Sequence, residues 1–194
     1  MFKQYARSVE QISNLLWWGK FSNCCAITPE YKLNVNLKRS NVKWHFFQSV
    51  MSQKEHGTCT KPLSKNLRWD VDWATADKIC CFNRHFAEYS GYFTTTEFMK
   101  ETGKDGPITF YDPINSKPLF IAPQGRSWRE FIRESQDHGW PSFRDEEVVW
   151  ENVRCLRNGE TVTLDGIHLG HNLPDGSGNR YCINLVSVAG QPPK

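Results

Sequence analysis

Asn158-Gly159 separates two short runs, Val153 to Leu156 and Thr161 to Leu164, in which polar and apolar residues alternate. An Asn-Gly pair supplies the backbone conformations of a tight reverse turn, so these runs are expected to form a β-hairpin. A further alternating stretch at residues 180–188 would place Cys182, Asn184, Val186 and Val188 on one face of a strand. Tyr181, Ile183, Leu185 and Ser187 would take the other, and Arg180 would share the face of Cys182. One helix is foreseen, at residues 128–136, where Ser127-Trp128-Arg129-Glu130 has the capping-box pattern and Phe131 and Ile132 share a face with Trp128. The chain therefore reads as β-rich with one or two short helices. The acidic run Asp145-Glu146-Glu147 is most simply a solvated surface.

With 194 residues and 39% hydrophobic content, the chain can bury one core of ordinary domain size. No run of eighteen apolar residues occurs, so no membrane partner is expected. Charge is unevenly spread. Residues 1–65 hold ten Lys/Arg against three Asp/Glu, net +7, and the remainder holds fourteen against eighteen, net −4. In the front segment Phe2, Tyr5, Val9, Ile12 and Leu16 recur at helical spacing among Lys3, Arg7 and Lys20. This acid-poor pattern suits either a mitochondrial or plastid transit peptide or an amphipathic helix docked on the core; without targeting the protein would be cytoplasmic. The basic residues are scattered rather than clustered, so no nucleic-acid partner is expected. The polar run Ser52 to Ser64 reads as a linker, which divides the chain into a basic N-terminal extension, residues 1–67, and a folded domain, residues 68–194.

Seven cysteines, Cys24, Cys25, Cys59, Cys80, Cys81, Cys155 and Cys182, form an odd set with two vicinal pairs. No C-x-x-C occurs, which removes the usual paired-cysteine zinc site and the thioredoxin-like motif. One or two working thiols in a reducing compartment are expected.

Three motifs follow one another in the last third of the chain: Gly139-Trp140-Pro141-Ser142-Phe143, His168-Leu169-Gly170-His171 and Arg180-Tyr181-Cys182-Ile183-Asn184. They assemble a thiol, two imidazoles, an aromatic and a carboxamide. A thiolate is the side chain suited to attack an electrophilic sulfur, and neighbouring cationic or hydrogen-bonding groups assist it; Arg180, His168 and His171 are the candidates. In this order the motifs resemble those of the methionine-R-sulfoxide reductases of the B type, over roughly residues 85–190. The resemblance implies a mainly β fold of two packed antiparallel sheets with short peripheral helices. It makes Cys182 the nucleophile, which becomes a sulfenic acid, and assigns His168, His171 and Asn184 to the sulfoxide oxygen. Trp140 would hold the S-methyl group, with Phe143 and Arg180 completing the substrate site. Oxidised proteins or peptides would be the substrates, and an external thiol reductant (thioredoxin, glutaredoxin or a small thiol) would regenerate the enzyme, with no bound cofactor.

The chain departs from the family pattern in five respects. Where many members carry zinc-binding cysteines it has Asp112, Asn115, Val162 and Asp165. Valine cannot ligate and carboxylates are poor replacements for thiolates, so no structural zinc is expected, and packing, a salt bridge or extra polypeptide must hold that corner. His138 stands where some members keep a resolving cysteine, leaving Cys80, Cys81 and Cys155 as candidate substitutes. The segment Ile121 to His138 is longer than usual, while Asn172 to Asn179 is shorter. Leu173 replaces an aromatic residue common after the second histidine, loosening one wall of the methyl pocket. Three other readings of the same residues are a reductase of a different sulfoxide, a non-catalytic module on the same fold that binds a peptide or partner, and a hydrolase pairing Cys182 with His168 or His171. The last gives Gly-Trp-Pro-Ser-Phe no role.

Overall fold

A computed structural model describes residues 49–103 and 106–194. The N-terminal basic pattern and Cys24 and Cys25 lie outside the described residues. Two antiparallel sheets dominate. The smaller pairs β1 (Ile108–Tyr111) with β2 (Pro118–Ala122). The larger has the strand order β3-β7-β6-β5-β4, from β3 (Ser142–Phe143), β4 (Val153–Cys155), β5 (Glu160–Thr163), β6 (His168–Asn172) and β7 (Tyr181–Ile183). Among the described residues, two α-helices, α1 (Trp73–Asp77) and α2 (Trp128–His138), and several single-turn helices accompany the sheets. The architecture is mainly β, as the resemblance implies.

Local signals explain several elements. The hairpin forms as expected, with Val153 opposite Thr163 and Cys155 opposite Thr161. Helix α2 carries a complete capping box: Ser127 Oγ accepts from Glu130 N, and the Glu130 carboxylate accepts from Ser127 N. It ends at Gly139, whose φ of 85° lies in the left-handed region that favours glycine. The last strand is shorter than expected. It stops at Ile183, and Leu185–Val188 coil into a 3-10 turn whose side chains are all buried. Alternation reads such an apolar run as strand because it cannot register the turn; here the Glu88 carboxylate accepts from the N–H groups of Leu185 and Val186 and draws the chain inward.

An aromatic chain fills the core beneath the larger sheet. Phe143 stacks on Phe120 with ring centroids 4.3 Å apart, and meets Phe110 and Phe131 edge-on. Trp69 and Phe98 extend the cluster from Phe110. The run Asp145-Glu146-Glu147 is not simply a solvated surface, because Glu147 is fully buried and accepts from Arg126 and from the N–H groups of Gln124 and Arg144.

The polar run Ser52 to Ser64 belongs to the folded body rather than to a linker. Cys59 and Leu63 enter the core, and Cys59 is disulfide-bonded to Cys81 in the π-helical turn Lys78–Phe82. Cys81, a candidate resolving thiol, is therefore already paired. The same segment braces the corner where zinc ligands were sought. Val162 packs against Val50 and Met51, Asn115 Nδ2 donates to Asp165 Oδ2 at 2.6 Å, and Lys117 lies 3.6 Å from that carboxylate. Lys54 Nζ donates to the carbonyls of Val50, Thr58 and Asp165. Burial holds its pKa below the ordinary lysine value, against the attraction of Asp165. Gly166 leaves room for this convergence: a Cβ there would collide with Thr58 O and Val50 O. Lys54→Met leaves three carbonyls without their shared donor and is expected to lower unfolding free energy by about 1–3 kcal/mol, read from urea denaturation. An unchanged urea midpoint would remove Lys54 from the brace.

Candidate functional site

Strand register builds the site. Along the larger sheet Glu160 pairs with His171, His171 with Cys182, and Cys182 with Ser142. Side chains directly opposite one another on neighbouring strands share a face, so these four form one transverse row. His168 would ordinarily fall on the other face from His171, because they stand three positions apart on a strand of period two. Between Thr161 and Val162 the pairing jumps from Gly170 to His168. Leu169 is thereby the extra residue of a β-bulge, and His168 turns to the same face as His171. Their rings lie 5.4 Å apart, centroid to centroid.

Asn184 secures the bulge. Its backbone N–H and its Nδ2 both donate to Leu169 O, at 2.9 and 3.0 Å, and its Oδ1 accepts from Glu88 N at 3.0 Å. The carboxamide assigned by resemblance to the sulfoxide oxygen is thus buried and occupied by backbone groups. Gly170 allows β7 to lie close, since an added Cβ would strike Cys182 O.

Arg180 Nη1 donates directly to Cys182 Sγ, and Ser142 Oγ lies 3.8 Å from the same sulfur. The thiol is half-buried and Arg180 is buried. Arg180 is aimed by Asp175, whose Oδ2 accepts from Arg180 Nε at 3.2 Å and from Arg144 Nη2 at 2.9 Å. The side-chain hydrogen bond from Arg144 is the main reason the Asp175 pKa falls to about 2. Arg144 also pairs with Glu134, Glu134 with Arg126, and Arg126 with Glu147, so an ion-pair chain runs from the thiol to helix α2.

His168 is buried and its Nδ1 lies 3.0 Å from Glu160 Oε1, a contact that fixes the imidazole in its plane. Burial tends to raise the Glu160 pKa, yet the His168 hydrogen bond and charge outweigh it and hold the carboxyl below its usual range. His171 is half-buried; burial first and the His168 charge second lower its pKa, partly opposed by Glu160.

Trp140 is half-buried and its indole N–H is enclosed without a partner among the described residues. Phe143 is corrected to a core residue: pairing with Tyr181 puts it on the opposite face from Ser142, and it is fully enclosed by aromatic rings. The three candidate resolving cysteines are not brought to Cys182 as ready thiols. Cys81 is spent in the disulfide with Cys59. Cys155 pairs with Thr161, which puts it on the face opposite to the Cys182 row and three strands away, about 14 Å. Cys80 is fully buried with its Sγ 3.3 Å from Ser187 Oγ, and burial pushes its thiol pKa well up. The sequence reading also missed Glu160, Ser142 and Asp175. A glutamate among Thr-Val-Thr in a strand, and a serine at even spacing inside Trp-Pro-Ser-Phe, were the available signals.

The residues at the corner described above do not fit a zinc ion. Asp112 Oδ1 is committed to the N–H groups of Ile114 and Asn115, and Val162 is apolar. No group of three or more His, Cys, Asp or Glu suited to a metal occurs among the described residues.

Glu88 couples the site to the segment before it. Burial raises its pKa to about 7, against the pull of its two backbone donors. A carboxyl whose pKa is raised on folding stabilises the fold below its unfolded pKa and loses that contribution as pH rises through about 7. Wild-type stability is thus expected to decline from about pH 5 to about pH 8, and Glu88→Gln to flatten that part of the profile. Identical profiles, compared by urea midpoints, would exclude Glu88 as the source.

No family model matches the chain. Over 66 residues it is 46% identical to a protein named peptide methionine sulfoxide reductase MsrB, from Leifsonia xyli subsp. xyli (strain CTCB07). The match covers 28% of this chain and 47% of that relative, so the chain spans about half the length of the protein it matches. The likeness supports an MsrB-like relationship for that part of the chain.

Proposed function

We propose that the chain reduces the R epimer of methionine sulfoxide, held in a protein or peptide, to methionine at the expense of a thiol. The observation that carries this reading is the approach of Arg180 Nη1 and Ser142 Oγ to Cys182 Sγ, with His171 paired opposite Cys182 on the same sheet face and His168 set beside His171 by the bulge. The MsrB-like relationship supports it independently.

In this reading Arg180 holds Cys182 Sγ by a hydrogen bond, and the sulfur attacks the sulfoxide sulfur as a thiolate. The S–O bond breaks as oxygen passes to the cysteine sulfur and one proton is taken up. Methionine leaves, and Cys182 carries a sulfenic acid. The substrate sulfur is reduced by two electrons and the cysteine sulfur oxidised by two. His171 donates a hydrogen bond to the oxygen, and its depressed pKa makes the imidazolium a ready proton donor as negative charge develops there. The Glu160 contact holds His168 behind His171. Trp140 provides an apolar wall for the S-methyl group, and Asn184 acts through the bulge as a positioning residue.

Two equivalents of an external thiol, from a thioredoxin-like protein, a glutaredoxin or a small thiol, then return the sulfenic acid to the thiol, releasing water and a disulfide. The surroundings of Cys80, Cys81 and Cys155 favour direct reduction over an internal resolving step. Structural zinc has no part in this reading, and prolonged dialysis against a chelator is expected to leave the thermal midpoint unchanged; a fall would restore a metal to the fold.

The test is turnover of separate R and S methionine sulfoxide peptides with dithiothreitol. Wild type is expected to consume the R epimer alone. Cys182→Ser should lose at least roughly a thousandfold in rate, and His171→Ala roughly a hundredfold. Full turnover in a folded Cys182→Ser protein would sink the mechanism.

A further inference from the structure

Three aromatic side chains stand exposed on the stretch that begins at the end of the π-helical turn: Phe82 at 61%, Phe86 at 43% and Tyr89 at 62% of full exposure. The stretch is fixed at both ends. The Cys59–Cys81 disulfide precedes it, and Glu88 is locked to Asn184, Leu185 and Val186. It also lies beside the candidate site: the π-helical turn at its start packs against β6, which carries His168 and His171, and Glu88 N donates to Asn184 Oδ1. Solvated aromatics held on a braced segment form a contact surface rather than stray exposure. Phe86 to Tyr89 alone spans up to about 10 Å, more than one methionine side chain covers.

The charge on this surface is one-sided. Lys78 Nζ sits 4.2 Å over the Phe86 ring, and Lys78, Arg84 and His85 form no ion pair among the described residues. The acids of the same stretch are withdrawn: Asp77 is half-buried, and Glu88 is buried with its carboxylate turned onto backbone donors.

We propose that the face formed by Lys78, Phe82, Arg84, His85, Phe86 and Tyr89 docks an extended acidic polypeptide segment and delivers the methionine sulfoxide within it to Cys182. This rests on the sulfoxide-reductase reading and adds the substrate class. Aromatic rings take the apolar side chains of the unfolded segment, and Lys78 and Arg84 take its carboxylates.

The experiment compares kcat/KM, with dithiothreitol as reductant, for two methionine-R-sulfoxide peptides identical except for flanking Glu or flanking Lys, with free methionine-R-sulfoxide as the reference. The Glu peptide is expected to exceed the Lys peptide by roughly two- to fivefold per flanking charge. The gap should narrow as salt is raised. Arg84→Glu is expected to erase or invert the ranking. Equal values for the two peptides, or a ranking that survives Arg84→Glu, would overturn the docking face while leaving the reductase reading in place. A charge reversal that changes only the rate with thioredoxin would reassign the face to the reductant and overturn it as well. Absence of turnover on all three substrates would remove both readings together.

Discussion

One extra residue in β6 governs the chemistry this sheet can present. A regular strand would send His168 and His171 to opposite faces; the bulge at Leu169 turns both toward Cys182. A bulge leaves a carbonyl outside the ladder, and here both N–H groups of Asn184 satisfy it. Asn184 in turn receives the Glu88 N–H, and Glu88 opens the 3-10 turn behind β7. The placement of two imidazoles thus depends on a set of backbone hydrogen bonds that never touches the reacting atoms.

Electrostatics extends that dependence across the molecule. Alternating cations and anions lead from Cys182 through Arg180, Asp175, Arg144 and Glu134 to Arg126, and Arg126 returns to the sheet by donating to Ser142 O. Each guanidinium is held by more than one acceptor, so few rotamers remain open to it. The short loop between His171 and Arg180 fits this picture, since it carries Asp175 over both arginines. Pairs of this kind contribute little when solvated, but Arg126, Arg144 and Arg180 are largely enclosed, and loss of one partner leaves a charge without compensation.

Much of this was legible in the sequence where a local rule was strong. Asn158-Gly159 marked the hairpin, Ser127 and Glu130 marked helix α2, and strand period put Arg180 on the Cys182 face. Three features were not legible for physical reasons. A bulge is a property of pairing between strands, so nothing local to His168-Leu169-Gly170-His171 announces it. Asn184 resembles a ligand by motif, but its use is set by distant backbone at Glu88 and Leu169. The stretch from Ser52 to Ser64 is polar and turn-rich because it crosses the surface, yet Cys59 and Leu63 anchor it inside. The corner with Asp112, Asn115, Val162 and Asp165 shows the converse: the sequence excluded thiolate ligands there, while Lys54, the main brace among the donors, lies more than a hundred residues away from Asp165.

The disulfide between Cys59 and Cys81 adds a clock to the molecule. Its sulfurs are enclosed, so a dithiol reaches them only when the segment around residue 59 lifts away from the core. The rate at which a reductant opens this bond therefore reports how often that segment breathes. Once open, a constraint worth about 3 kcal/mol in loop closure is gone. Any dithiol present in excess thus both reads this local opening and, given time, makes it easier.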